Sequence, residues 1–253
     1  MRTFFVLGCF ASTLLGTFST AAAEIKVLTA GAFKPVVTAV VANFEKQSGH
    51  KVTVDNDTAG GLLKRIVGGE PFDVVVVTPG ALDELSKAGK VAAGSATRLA
   101  RVAIGVAVKR GAPLPDISTV AAFQNALLAA RTVAYIDPAA GGSSGVYLTQ
   151  LFEKMAIADR IKAKAVLVPG GLVAQRLVSD QADIAIHQIS EILAVPGATL
   201  VGPIPAEIQN YTVYAGALSV NSLDPRAASA LLSALQSTAA REIMKAKGLE
   251  ALP

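Results

Sequence analysis

The sequence predicts an α/β protein of two lobes, each a mainly parallel sheet flanked by helices, and three observations predict it. From Glu24 onward short β-branched runs alternate with stretches of helical period, the pattern of β-α units laid side by side. That pattern comes as two similar units, one over 24–101 and one over 118–186. Finally, an alternating strand at Arg101–Lys109 leads out of the first unit and a second at Tyr211–Val220 leads back, crossing near Gln209–Tyr214. Two crossings imply a hinge, with lobe 1 formed by 24–102 and 207–253 and lobe 2 by 103–206.

The elements follow in order. Ile25–Leu28 is the first strand. Over Phe33–Gln47 the residues Val36, Val37, Val40, Val41 and Phe44 share one helical face, and Gly49 stops the helix. Val52–Val54 is a second strand, Leu62, Leu63, Ile66 and Val67 form a second helical face, and the all-valine run Val74–Val77 reads as a buried strand before a helix over Ala81–Ala88. In the second unit Ser118 caps a helix through Ala130, Thr132–Ile136 is a strand and Val146–Met155 a helix. Ala165–Val168, a helix from Gly170 to Ser179, and Ile184–Ile186 complete it. Two amphipathic helices, Pro225–Gln236 and Thr238–Lys247, are expected to return to the first lobe and cover its sheet.

Composition narrows the functions. With 253 residues, 52% hydrophobic and 17% charged, the chain buries a large core and is not disordered. Arg2, the apolar stretch Thr3–Leu15 and Ala21-Ala22-Ala23 read as a secretory leader over 1–23, cleaved before Glu24. Beyond it no apolar run reaches about 18 residues. The single cysteine, Cys9, lies in that leader, so neither disulfide nor thiol chemistry is expected of the exported chain. Without Arg2 the chain has 22 basic residues against 19 acidic ones, scattered rather than clustered, which gives nucleic acid no electrostatic footprint. No phosphate loop or metal-ligand spacing is present. No metal and no cofactor are implied, and a monomer is expected.

Four loops at the carboxyl ends of strands carry small residues and hydroxyls just before a helix: Thr29-Ala30-Gly31-Ala32, Asp57-Thr58-Ala59-Gly60-Gly61, Thr78-Pro79-Gly80, and Asp137 to Gly145. Such residues also serve as ordinary caps. Four in register at the sheet edge where open α/β folds bind ligands point to an anion held by free backbone N–H groups. The candidate ligand residues are Gly31, Ala32, Thr58, Gly60, Thr78, Ser143, Ser144 and Gly145. His187 and Gln188 follow Ile184–Ile186 directly, which places them at a strand end in the second lobe, either on the ligand or packed with satisfied ring nitrogens. Arg101 at the crossing and Lys34 in the first helix could counter a carboxylate, Tyr147 could offer a phenol, and His50 sits in a solvated turn.

Several segments carry a family resemblance. They are Phe44-Glu45-Lys46-Gln47-Ser48-Gly49-His50-Lys51-Val52, Thr58-Ala59-Gly60, Gly69-Glu70-Pro71-Phe72-Asp73-Val74-Val75 and Ile104-Gly105-Val106-Ala107-Val108. The series continues in Gly141-Gly142-Ser143-Ser144-Gly145-Val146-Tyr147, Gln181-Ala182-Asp183-Ile184-Ala185 and Ala246-Lys247-Gly248-Leu249. In these the chain resembles the periplasmic solute-binding proteins of the type II fold, in their molybdate-binding-protein-like branch, over nearly its whole length after the leader. The resemblance implies a two-lobed periplasmic receptor for a small anion that feeds the membrane component of an ABC importer. Two departures bear on the ligand: Ala30-Gly31-Ala32 stands where the branch has serine hydroxyls, and Gln188 where it has a tyrosine, while Thr58 keeps one hydroxyl. Fewer small donors and more room suit a larger, carboxylated ligand better than a tetrahedral oxyanion. The same branch is similar to a periplasmic aconitate isomerase, which implies the alternative: a cofactor-free isomerase of a tricarboxylate with His187 as the base.

Overall fold

A computed structural model describes residues 22–253, so the leader expected over 1–23 lies, but for its last two residues, outside the described residues. The first half-sheet grows by parallel β-α-β steps. Strand β1 (Glu24–Ala30), helix α1 (Lys34–Ser48), β2 (Lys51–Asp57), α2 (Ala59–Val67), β3 (Val74–Val77) and α3 (Pro79–Lys87) place β1 between β2 and β3, parallel to both. β3 is buried at all four valines, as a strand covered on both faces must be. α1 buries Val36, Val37, Val40, Val41 and Phe44 and ends at Gly49, whose φ of +75° is the left-handed conformation glycine adopts freely.

β4 (Thr97–Lys109) then runs through both halves of the molecule. In the second half α4 (Val120–Ala129), β5 (Val133–Ile136), α5 (Ser143–Lys154), α6 (Ala158–Lys162), β6 (Ala165–Val168), α7 (Gln175–Val178), β7 (Ile184–Gln188), α8 (Ile189–Leu193) and β8 (Ala198–Pro203) repeat the winding. β5 lies between β6 and β7, parallel to both. The chain returns through β9 (Tyr211–Leu218), α9 (Pro225–Ala234), α10 (Thr238–Ala246) and the short β10 (Glu250–Ala251). Strand order is β2-β1-β3-β9-β4-β7-β5-β6. The flanks are parallel, and the strands that join them, β9 and β4, pair antiparallel with each other and with their neighbours. α9 and α10 put Leu231, Leu232, Leu235 and Met244 into one core with Ile25, Val27, Val36 and Phe44, covering the first half-sheet.

Local chemistry explains where elements differ from expectation. Thr119, not Ser118, caps α4, because its hydroxyl accepts from the Ala122 N–H at 3.1 Å. The helix expected from Gly170 contracts to Gln175–Val178: Gly171 is left-handed at φ +82°, and the next turn closes through three-residue steps such as Arg176 N–H to Val173 O at 2.9 Å. Asp137 accepts from the Ala139 N–H, Pro138–Ala140 forms a 3-10 turn, and Gly141 at φ +73° redirects the chain. α5 therefore begins at Ser143, not Val146, and Ser143, Ser144 and Gly145 are its first turn.

Candidate functional site

Loops at the carboxyl ends of β1, β2, β5 and β7 meet across the gap between the two half-sheets and enclose a cavity of about 40 Å³. The halves touch directly. Thr58 Oγ1 donates to Ala140 O, the Gly60 N–H to Gly141 O at 3.2 Å, and Ser190 Oγ to Ala32 O at 2.8 Å. Glycine is required at this seam, since a Cβ on Gly141 would stand 2.9 Å from Gly60 Cα.

Backbone donors converge on the cavity. In α2 the Gly60 amide is taken by Gly141, that of Gly61 by Thr58 Oγ1 and that of Leu62 by Thr58 O, which leaves Ala59 with the unclaimed first-turn N–H. In α5 the Val146 N–H bonds to Gly142 O, leaving Ser143 and Ser144 at the wall. Two helix N-termini thus aim positive dipole ends at one small space, an arrangement that favours an anion.

Side chains supply the rest. Gln188 Nε2 donates to Thr212 Oγ1 at 2.8 Å and to Ser143 Oγ at 3.2 Å. His187 Nε2 lies 3.1 Å from Glu191 Oε2, four residues further on in the first turn of α8, and both side chains are less than a tenth exposed. Two buried atoms, His187 Nδ1 and Gln188 Oε1, have no protein partner. Burial pushes the Glu191 carboxyl up to about 8 and the His187 imidazole down to about 3, so each disfavours its charged form. Tyr214 completes this corner, its hydroxyl held above the ordinary range by burial and by the Glu191 charge. Asp57, also on the wall, is met from outside by Arg65 at 3.5 Å. Among the described residues no cluster of three or more His, Cys, Asp or Glu side chains could hold a metal ion.

Of the residues expected at the site, Gly31, Ala32, Thr58, Ser143, Ser144, His187 and Gln188 line this cavity. Others do not reach it. Gly60 and Thr78 line a separate outer groove on the far side of the Gly60–Gly141 contact, and the Gly60 amide is already used. Gly145 answers to packing, because a Cβ there would lie 2.2 Å from Ile136 O, where α5 crosses β5. Arg101 stays on the outer surface: its guanidinium bonds Glu250 at 2.6 Å and covers the Tyr211 ring at 4.4 Å. Tyr147 donates to Ile208 O at 2.6 Å, and Lys34 stands outside the cavity on Asn56 Oδ1 at 2.6 Å. His50 is not simply solvated; it stacks on Phe44 and accepts from the Ala23 N–H. Sequence reasoning missed Glu191, Tyr214, Thr212 and Asn56. For Glu191 a signal existed, since it is the lone carboxylate in the run from Ile184 to Leu200.

Comparison with known proteins agrees with this architecture. The chain is 37% identical over 235 residues to an aconitate isomerase of a Pseudomonas species, covering 90% of this chain and 88% of that protein. It is 26% identical over 236 residues, 90% of each chain, to the molybdate-binding protein ModA of Azotobacter vinelandii. The solved periplasmic molybdate-binding protein of Azotobacter vinelandii superposes with a TM-score of 0.73 at 21% identity, covering 91% of this chain and 100% of that one. Its fold is thus shared: a curled sheet flanked by helices. Residues 25–250, from the first strand to the last, match the family model for bacterial extracellular solute-binding proteins, and it is to this family that the chain belongs.

Proposed function

We propose that the chain is exported to the periplasm, closes on a small carboxylate anion and moves one proton on it, as a cofactor-free isomerase of the aconitate isomerase kind. The observation that carries this reading is His187 on the cavity wall, neutral through burial and with Nδ1 unpartnered, beside helix N-termini suited to carboxylates. A transport receptor needs donors that hold an anion. An isomerase also needs a group that takes a proton from carbon, and an allylic carboxylate requires nothing else: the C–H electron pair passes into the conjugated carboxylate system and the proton returns at the other end. Closure excludes water during that interval. The 37% identity to an aconitate isomerase points the same way.

Gly31, Asn56, Gly171 and Glu191 line both the cavity and an adjoining outer groove where Lys34 stands. A di- or tricarboxylate longer than the cavity finds a place there for a second carboxylate beside an ammonium group. The second reading, a receptor that hands its anion to an ABC importer, is favoured by the 26% identity to a molybdate-binding protein. One experiment separates the two. Purified protein incubated with cis- or trans-aconitate is expected to interconvert them, with interconversion abolished by His187→Ala; tight binding without interconversion would establish the receptor instead.

A further inference from the structure

We infer that Glu191 is the positioning residue of the site: it clamps His187 Nε2 and leaves Nδ1 as the ring nitrogen that meets the ligand. This rests on the isomerase reading above. The turn from β7 into α8 folds Glu191 back over His187, four residues earlier, and sets Nε2 and Oε2 3.1 Å apart. Glu191 has no other ion-pair partner among the described residues. Its second oxygen lies against the backbone of the opposite half, where a Cβ on Gly31 would stand 2.6 Å from Oε1. Closure therefore holds this carboxyl group in place. A histidine that served packing alone would have both ring nitrogens satisfied, whereas here Nε2 lies 3.1 Å from a carboxyl oxygen and Nδ1 is buried without a partner.

The arrangement lets the pair act as one proton store. With Glu191 ionised, His187 donates Nε2–H to it, and the Nδ1 lone pair is free. When the C–H bond breaks, its electrons enter the allylic carboxylate system and the proton bonds to Nδ1, while the Nε2 proton passes to Glu191. The store is then a neutral imidazole beside a neutral carboxylic acid. Burial favours this uncharged pair over an imidazolium facing a carboxylate. Reversal at the far allylic carbon restores the starting state, with atoms and charge balanced. The titratable and charged groups that face the pair are Tyr214 from β9, Asp57 from β2, and Lys34 and Lys247 across the adjoining groove.

The test compares the wild type with Glu191→Gln and Glu191→Asp in cis–trans interconversion of aconitate across pH, and reads the His187 tautomer by ¹⁵N NMR. Wild-type activity is expected to rise with pH as the pair loses its shared proton. Glu191→Gln should lower kcat about 100-fold with KM within about threefold, abolish that pH limb and change the tautomer signature. Glu191→Asp should restore part of kcat. Wild-type kcat and pH profile in Glu191→Gln, or an unchanged tautomer in that variant, would overturn the assignment. The NMR arm needs no turnover, so a wild type that does not interconvert cis- and trans-aconitate defeats the isomerase reading while the clamp on Nε2 is still decided by the tautomer.

Discussion

Gly60→Ala separates the energetics of closure from those of folding, because one methyl group acts on the two with opposite sign. Gly60 is the second residue of α2 and has no left-handed requirement. A Cβ there would stand 3.0 Å from Gly141 Cα and 3.2 Å from Gly141 O, both main-chain atoms of the opposite half that cannot swing aside as a side chain can. In the closed form such crowding costs about 1 to 3 kcal/mol and stretches the bond from the Gly60 N–H to Gly141 O. In the open form the methyl group meets nothing from the other half and contributes up to about 1 kcal/mol through helix propensity and a less entropic unfolded chain. Affinity for trans-aconitate should therefore fall about 5- to 150-fold by titration calorimetry, while the ligand-free melting temperature holds or rises by about 1 to 3 °C. Affinity within twofold of wild type would refute the reasoning, since it would mean that the two glycines do not meet in the liganded protein.

Two further outcomes follow from burial. Met244→Ala removes a side chain 1% exposed in the core that α10 closes over the first half-sheet and should lower unfolding free energy by about 2 to 4 kcal/mol in urea; a loss under about 1 kcal/mol would show α10 to be loosely docked. The His187–Glu191 pair also gives stability a pH signature. In the unfolded chain the two groups hold one proton between pH 4.5 and 6.5, and the folded pair holds one as well, on Glu191 rather than His187. Their joint contribution is thus level in that window. Above about 6.5 the unfolded histidine releases its proton while the folded pair keeps one to about 8, so stability declines with rising pH. Glu191→Gln should abolish that decline in chemical denaturation run from pH 6 to 9; an identical slope would place the titration elsewhere.

The elements were legible wherever periodicity is local. The five-residue apolar face of α1, the valine run of β3 and the two covering helices at the end of the chain each carry their burial in their spacing. Of the four glycine-rich loops, those after β1, β2 and β5 line the cavity and the one after β3 does not. What spacing could not rank was what each glycine is for: Gly145 clears Ile136 O, Gly60 clears Gly141, and Gly31 clears Glu191, three close approaches to three different partners. Arg101 looked central because it sits where the chain crosses, yet its register places it opposite Glu250 on a strand too short to be seen in the sequence. Glu191 escaped because its meaning depends on the turn into α8, which folds it onto His187, and on Gly31 arriving from the other half.

β4 has a consequence for any attempt to recombine this protein with its relatives. Residues 97–103 run along β9, with Ala100 and Arg101 also paired to β10, whereas 104–107 pair with β7 and 105–109 with β8, so one uninterrupted backbone has different neighbours in each half. The geometric border between the halves therefore falls inside a hydrogen-bonded ladder. A chimera spliced at that border would graft half a strand onto foreign neighbours on both edges, and Gly105 shows how little tolerance exists, since a Cβ there would lie 2.7 Å from Ile189 and 3.1 Å from Gly202 O. Workable junctions lie instead in the turn after Lys109 and in the segment between β8 and β9, which keeps the whole spine with one parent.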